Sequence, residues 1–443
     1  MKLNPYLLGC AAAAALGGLL FGFDTAVVAG TTHALTAYYQ LSSAQLGFTV
    51  SIALWGTVLG CLAAGWIGQR FGSREALRII AVLYVVAAGG CGLSWNWPAL
   101  LAFRFVGGLA VGGSSVLAPV YITELAPARA RGRLVGFFQI DIVIGILTAY
   151  FSNYWISRLG LGAAEWRWEL GAAALPALFF FCLLLVIPGS PRWLAAQNDP
   201  EGALKVLQNM GSEDAEGELR QIMQSLDPKH APLAESLFSR KYVFPIAMAV
   251  MLGAFSQMSG INAVLYYLND IFASAGLSRA SAGAQSVLVG LVNLTATLVA
   301  IGIIDRVGRR PLLLAGTAGM AVSLGAMAFL FRDPSRSGYL FYLMVAYIVF
   351  FATSLGAVTW VYISEIFPTR LRARGQSLGS VSHWIMNAVI SWVFPVLTAW
   401  SKPAPFFVFS VMMAVVFVIV FFVFPETTGL TLEHIEEEFE AKP

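Results

Sequence analysis

The chain has very little charge for its length. Only 12% of its 443 residues are Asp, Glu, Lys or Arg, 58% are hydrophobic, and the mean hydropathy is +0.74. A water-soluble domain could not cover its surface with so few charged side chains. The composition therefore excludes an ordinary soluble fold and indicates a protein whose main solvent is lipid.

Cysteine is scarce as well, and so are clustered metal ligands. The four cysteines lie in four separate apolar runs, without pairing or the spacing of a metal site. We therefore predict neither a disulfide nor a bound metal, and interpret each thiol as a small buried side chain. A nucleophile–base pair and a phosphate-binding loop are also lacking, so we expect neither an enzyme nor a cofactor.

Long apolar runs are abundant. A helix needs about 20 largely apolar residues to cross a hydrocarbon core, and the sequence therefore predicts an all-α membrane protein with twelve transmembrane spans. The predicted spans lie near 8–30, 46–68, 77–95, 98–122, 134–157, 169–187, 242–270, 283–304, 311–331, 339–364, 376–399 and 405–424.

Basic residues cluster on alternate loops between these spans. Arginine triplets occur at Arg70, Arg74 and Arg78, at Arg129, Arg131 and Arg133, at Arg306, Arg309 and Arg310, and at Arg370, Arg372 and Arg374. By the positive-inside rule, this bias predicts that both termini are cytoplasmic in a multi-pass protein of the inner (plasma) membrane. The same distribution disfavours a nucleic-acid partner.

The two halves of the chain repeat one another at an offset of about 240 residues, which argues for a duplicated six-helix unit. The matched segments are Gln69–Arg74 with Asp305–Arg310, Glu124 with Glu365, and Pro188 with Pro425. We expect six-helix bundles at 1–187 and 242–424. A cytoplasmic linker with short amphipathic helices at 188–241 joins them, and a cytoplasmic tail occupies 425–443.

Five motifs follow one another along the chain. They are GGLLFGFD at 17–24, Arg104 followed by Gly107 and Gly108, PGSPRWL at 188–194, GINAVLYY at 260–267, and PETTG at 425–429. Together they resemble the sugar porter branch of the major facilitator superfamily, which includes bacterial sugar–proton symporters and animal glucose facilitators. The resemblance implies the major facilitator fold with two pseudo-symmetric halves, and a secondary active transporter that imports a hexose or pentose by alternating access. We expect a monomer in the bilayer, with sugar and protons as its small partners.

Asp24 and Arg104 are charged residues inside predicted spans 1 and 4. Both lie about six residues from the outer end of their span, roughly 9 Å below the surface, so an ion pair is geometrically feasible. The pair either joins two helices permanently or acts as a proton switch. The resemblance favours the switch, because facilitators lack this acid, and a facilitator is the alternative. For Asp141 in span 5, four interpretations stay open: it lines an inner cavity, forms a local pair, lies near the head groups, or is a second protonation site.

The solute site is inferred from the resemblance. Amides donate to and accept from sugar hydroxyls, and an indole packs on the sugar ring, although lone intramembrane amides also join helices. The residues that match the family pocket are Gln139, Gln257, Asn262, Asn293 and Trp360, with His383 where members carry an amide, and Tyr266 and Tyr267 match the outer gate. Gly260 is expected to let span 7 unwind between Gln257 and Asn262.

Several positions depart from the family pattern. Ile146 and Ser256 stand where many members have glutamine, and Ala357 replaces a proline. The pocket has thus lost amides, which leaves open a sugar of different stereochemistry, a deoxy sugar, or a polyol such as inositol.

Charged residues at the inner ends of the spans match the family's inner gate, which links the halves when the carrier faces out. The candidates are Glu124, Arg131, Asp305, Arg309, Glu365, Arg372 and Glu426. Solvated loop charges are the alternative interpretation. Gln69 and Gly189 replace two usual acids, so we expect a weaker latch in the N-terminal half.

Overall fold

The structure is a computed structural model that describes residues 4–127, 130–212, 214–226, 237–332, 338–367 and 371–426. Within these ranges it contains helices and no strand, and twelve helical segments are long and apolar enough to cross a membrane. The predicted twelve-span, all-α architecture is confirmed. We call the face predicted to lie outside the cytoplasm the outer face, and the opposite face the inner face.

The first six spans begin at the amino terminus. They are α1 (Pro5–Tyr39), α2 (Ser43–Phe71), α3 (Ser73–Leu93), α4 (Trp97–Leu125), α5 (Arg131–Ser157), and a sixth span of a 3-10 turn (Gly162–Ala164), α6 (Glu165–Gly171) and α7 (Ala174–Val186). The central segment then forms three short helices, α8 (Pro191–Ala196), α9 (Pro200–Asn209) and α10 (Ala215–Leu226). The side chains of Ser190 and Asp199 cap α8 and α9, with proline in the first turn of each, a sequence pattern that starts helices efficiently.

The second six spans include two interrupted helices. Span 7 comprises α11 (Val243–Met258) and α12 (Ile261–Tyr266), followed by α13 (Leu268–Ser274). Spans 8 and 9 are α14 (Arg279–Val307) and α15 (Arg309–Leu330). Span 10 comprises α16 (Leu340–Phe351), a π-helix (Ala352–Gly356) and α17 (Ala357–Glu365), and spans 11 and 12 are α18 (Arg372–Trp400) and α19 (Ala404–Val423).

Glycines let α1 and α5 pack backbone to backbone. A side chain at Gly18 would overlap the carbonyl oxygen of Phe138, and one at Gly22 would overlap that of Ile142. From the other side, a side chain at Gly145 would overlap the carbonyl oxygen of Leu19. Small residues allow this approach in membranes, and the resulting contact fixes the part of α1 that precedes Asp24.

The contacts divide the chain into two compact units. The first comprises Met1–Asp24, Trp55–Ala149 and Arg167–Ala234, and the second comprises Thr25–Leu54, Tyr150–Trp166 and Glu235–Pro443. The second unit therefore includes the outer ends of α1, α2 and α5 together with the last six spans.

Candidate functional site

Asp24 on α1 and Arg104 on α4 lie beside each other in the first unit. Arg104 Nη1 is 4.0 Å from Asp24 Oδ1, and the exposed fraction is 4% for the Arg104 side chain and 31% for that of Asp24. The ion pair expected from their depth is therefore present at the outer limit of contact distance. The guanidinium is enclosed, whereas the carboxylate is partly exposed.

Gln139 and Asp141 lie on α5 in the same unit, and both are partly exposed. We find no hydrogen bond or ion pair from either side chain to the part of the chain that the structure describes. A local pair for Asp141 thus has no support among these residues, while its other three interpretations stay open.

Three of the predicted solute-site residues form a cluster in the second unit. The amide nitrogen of Gln257 lies 2.9 Å from Nε2 of His383, and Asn262 donates to the Gln257 side-chain oxygen at 3.0 Å. The Trp360 ring lies 5.2 Å from the His383 ring, centroid to centroid. Because an amide N–H donates, the contacted imidazole nitrogen must offer its lone pair. His383 thus accepts a hydrogen bond from Gln257.

A break in span 7 brings Gln257 and Asn262 to this cluster. Gly260 adopts a left-handed φ of +79°, α11 ends at Met258, and α12 begins at Ile261. The hydroxyl of Tyr347 donates to the Ser259 carbonyl at 2.9 Å, which satisfies a carbonyl at the break. The predicted unwinding at Gly260 is confirmed.

Asn293 lies on α14 and is 7% exposed, with no hydrogen bond from its amide found within the described ranges. Among the departures from the family pattern, Ile146 and Ser256 are buried. Ala357 directly follows the π-helix of span 10 and precedes Trp360 by three residues. The predicted solute-site residues of the second unit thus lie on spans 7, 8, 10 and 11.

The predicted outer-gate tyrosines are buried and engaged. The Tyr267 hydroxyl donates to the Ser391 carbonyl at 3.2 Å, and the Tyr267 ring stacks on Phe394 at 5.0 Å. The amide of Asn387 donates to the Tyr266 hydroxyl at 3.3 Å. Span 7 is thereby held against span 11 on the outer side.

Two further contacts join the halves of the sequence within the second unit. The Tyr150 hydroxyl on α5 donates to the Leu265 carbonyl at 2.9 Å, and Trp392 Nε1 on α18 donates to the Ala44 carbonyl on α2 at 3.2 Å. A side chain at Gly47 would overlap the Trp392 carbonyl oxygen. The outer ends of α2 and α5 are thus closed against spans 7 and 11.

The inner-gate candidates of the C-terminal half form one network. Arg309 binds both oxygens of Glu365, at 2.7 and 3.2 Å. The carboxylate of Glu426 accepts the backbone N–H groups of Arg309 and Arg310, each at 3.0 Å, so it caps the positive end of α15. Asp305 and Arg372 belong to α14 and α18, but their side chains lie outside the described part of the structure.

The corresponding corner of the N-terminal half is built differently. Ser73 donates to Glu124 at 2.7 Å, and Arg131 Nε donates to the Ala126 carbonyl at 3.1 Å. The helix α3 begins after Gly72 without a side-chain cap, and the position that matches Glu426 is Gly189. This half therefore has no counterpart of the Glu426 cap at its α3 terminus.

Known proteins with similar sequences identify the family of this chain. The sequence model described as "Sugar (and other) transporter" matches residues 10–439. The chain belongs to this transporter family. The D-xylose-proton symporter of Escherichia coli is 34% identical over 99% of this chain and 96% of its own. The arabinose-proton symporter of Bacillus subtilis is 34% identical over 97% and 94%, respectively.

Solved structures support the same sugar transporter fold. The partially occluded inward open conformation of the E. coli xylose transporter matches with a TM-score of 0.85, at 34% identity, over 96% of this chain and 99% of that one. The structure of the proton:xylose symporter bound to 6-bromo-6-deoxy-D-glucose matches with a TM-score of 0.81. The chain is therefore a multi-pass membrane transporter with the major facilitator fold.

Sequence reasoning missed two buried carboxylates of this transporter, Glu165 and Glu169. Glu169 on α6 is only 1% exposed and lies in the first unit, like Asp24 and Arg104. Two residues earlier, Arg167 donates to the carbonyls of Gly92 and Ser94 at the end of α3. In the sequence, Glu169 stands at the polar start of a predicted span, where an acid is usually solvated. Only the packing of α6 against α3 shows that this acid is enclosed.

Proposed function

We propose that this protein imports a monosaccharide together with a proton by alternating access. The observation that carries the proposal is the intramembrane pair, in which Asp24 is partly exposed while Arg104 is enclosed at 4.0 Å. A charged side chain inside the membrane is costly, so a charge that is present there is expected to have a function. Relatives that are sugar–proton symporters support the same assignment.

In the proposed mechanism, protonation of Asp24 neutralises the carboxylate and removes its attraction to the Arg104 guanidinium. The carrier then reorients with its acid uncharged, which lowers the cost of moving the site across the membrane. Release of the proton restores the ion pair. Proton movement and reorientation are linked because only the neutral or the paired acid is favourable in lipid.

The solute in this proposal binds to the hydrogen-bonded cluster in the second unit. Its hydroxyls replace the mutual contacts of Gln257, His383 and Asn262, and its apolar face packs on Trp360. Asn293 and Gln139 supply further amides. Tyr266 and Tyr267 act as the outer gate, and the charged inner corners act as the inner gate.

The remaining parts of the proposal concern location and assembly. The protein lies in the inner (plasma) membrane as a monomer, with both termini and the linker 188–241 in the cytoplasm. The alternating basic loops support this orientation. Its six-helix bundles correspond to 1–187 and 242–424, as the internal repeat predicts.

Uptake of labelled solutes into proteoliposomes tests the function. The panel is D-xylose, arabinose, glucose, galactose and inositol, each with and without an inward proton gradient. We expect at least one monosaccharide to accumulate above equilibrium only when the gradient is present. If the internal solute concentration only reaches the external one, the protein is a facilitator and not a symporter. If inositol alone is taken up, the solute is a polyol and not a monosaccharide.

A further inference from the structure

A separate cavity of about 280 Å³ lies in the second unit, on the outer side of the gate. Its walls come from the outer ends of α2, α13, α15, α18 and α19. Tyr267 forms part of its lining, although the hydroxyl of this residue is turned to the Ser391 carbonyl. The cavity is therefore distinct from the cluster of Gln257, Asn262 and His383, none of which lines it.

Aromatic rings form the apolar part of this outer cavity. Tyr267 and Phe394 are stacked at 5.0 Å, and Phe406 meets Phe394 edge to face at 6.5 Å. Phe331 in turn stacks on Phe406 at 5.1 Å. The rings pack on one another and form a continuous aromatic wall. Such a surface suits the C–H face of a pyranose or furanose ring.

Polar groups complete the lining. Asp270 and Ser274 lie one turn apart on α13, and Lys402 donates from Nζ to the Ser274 carbonyl at 3.2 Å. Thr398 and Ser43 add hydroxyls. A carboxylate accepts hydrogen bonds, an ammonium donates them, and hydroxyls do both. The hydroxyls of a sugar can add hydrogen bonds to such a mixture of donors and acceptors.

The two sides of the cavity belong to different halves of the sequence. Ser43 and Leu46 on α2 form one side, and spans 7 and 11 form the other. The contact of Trp392 with Ala44 holds these sides together. The complete cavity thus exists only while the outer side is closed.

We propose that this outer cavity is a second, low-affinity monosaccharide site, and that a sugar bound there holds the outer gate shut. The proposal rests on the proposed function for its ligand class. A ligand that binds one conformation alone raises the population of that conformation. High external sugar therefore slows its own uptake, because the empty carrier is retained in the outward-closed state.

The decisive experiment separates the outer site from the central one by equilibrium binding. The variant carrying Gln257→Ala and Asn262→Ala should lose tight binding of the panel sugars but keep one weak site. We expect that site at concentrations tenfold or more above those that half-saturate the wild type. Adding Thr398→Phe fills the outer cavity and should remove the weak site. Val396→Phe, at an exposed position on the same helix, is the matched control and should retain it.

Uptake kinetics give the second measurement. Initial uptake by the wild type should fall at least twofold from its maximum as external sugar rises, and Thr398→Phe should keep a plateau. Asp270→Asn, which preserves the shape of the cavity, should shift the decline to at least fivefold higher concentrations. A folded central-site variant with no residual binding, or a wild type whose uptake reaches a plateau without decline, would overturn the outer site. A plateau without decline would still show sugar transport and so would leave the proposed function intact. A wild type that neither binds nor transports any panel sugar would contradict both proposals.

Discussion

The two compact units differ in the chemistry that they enclose. In the first unit, Asp24 lies beside Arg104, and Glu169 is buried on α6. In the second unit, Gln257 is joined to His383 and Asn262 in a cluster of neutral groups, whereas the charged residues Arg309, Glu365 and Glu426 lie apart from this cluster at the inner corner. Under the proposed function, the proton and the solute therefore bind to different side chains. Damage to one set should therefore leave the other function measurable.

The two sets also differ in how tightly they are held. The charged pair is separated by 4.0 Å and leaves Asp24 31% exposed. The amide cluster has contacts of 2.9 and 3.0 Å, and Gln257 is 2% exposed. Under the proposed function, the loosely held acid exchanges a proton, whereas a solute has to replace the existing hydrogen bonds of the cluster with contacts to its own hydroxyls.

The largest expected effect comes from breaking the charged set alone. Asp24→Asn keeps the side-chain shape but cannot release or bind the proton. Accumulation driven by a membrane potential of 100 mV, about 2.3 kcal/mol per charge or roughly 50-fold, should be lost. Exchange of internal for external sugar should continue, because the loaded carrier still reorients.

Asp141→Asn is the matched control for this variant, since it removes the other partly exposed intramembrane acid of the first unit. Accumulation by Asp141→Asn should match the wild type. Accumulation by Asp24→Asn would contradict the assignment of the proton to this acid. Loss of accumulation in both variants would make Asp141 a second proton site.

The next effect comes from breaking the neutral set alone. Gln257→Ala removes a hydrogen-bond partner of the solute and leaves Asn262 without its acceptor. Since a lost partner costs about 1–3 kcal/mol, affinity should fall roughly 5- to 150-fold. Thermal stabilisation, measured at the sugar concentration that half-saturates the wild type, should disappear.

Thr295→Ala, an exposed polar position on α14, serves as the control and should retain stabilisation. Equal binding by Gln257→Ala and the wild type would show that the cluster only joins helices.

A smaller effect should follow from His383→Gln, which restores the amide that is usual at this position. An amide can still pair with Gln257, so we expect the ratio of uptake rates among panel sugars to change by fivefold or more, with maximal turnover within twofold. His33→Gln, at an exposed position on α1, controls for loss of a histidine. A selectivity profile identical to the wild type would reduce His383 to a packing residue.

The smallest effect concerns the inner corners. Gly189→Glu introduces a carboxylate where Glu426 caps α15 in the other half, and a side chain at 189 would meet Leu194 only at ordinary contact distances. A charge at a helix end contributes about 0.3–1 kcal/mol, so the outward-facing population should rise roughly two- to fivefold. The measurement is labelling of Ser391→Cys, which is buried in the closed gate, by an impermeant maleimide.

Gly132→Glu, an inner-face position with open space around it, should leave the labelling unchanged. Equal labelling with and without Gly189→Glu would mean that the missing acid does not set the resting conformation.

Much of this fold could be predicted because lipid imposes a simple rule. Each span needs a long apolar run, so the twelve spans could be predicted from the sequence. The break at Gly260 could also be predicted, because this intramembrane glycine lies between two amide side chains. The count that placed Asp24 six residues from the outer end of its helix was wrong, because α1 continues to Tyr39, although the expected contact with Arg104 is present.

Features that depend on packing between spans were not visible. The contact of His383 with Gln257 joins residues 126 positions apart, and no local pattern sets the rotation of either helix. The π-helix at Ala352–Gly356 contains no proline that would mark it in the sequence. The burial of Glu169 depends on α6 meeting α3, which the local sequence does not encode.

The central claim is that proton movement is coupled to solute movement through Asp24, and proton entry measures it most directly. Proteoliposomes with an internal pH-sensitive dye should acidify when an accumulating panel sugar is added outside, and those with Asp24→Asn should not. If wild-type vesicles transport the sugar without any proton entry, the coupling is absent and the protein is a facilitator.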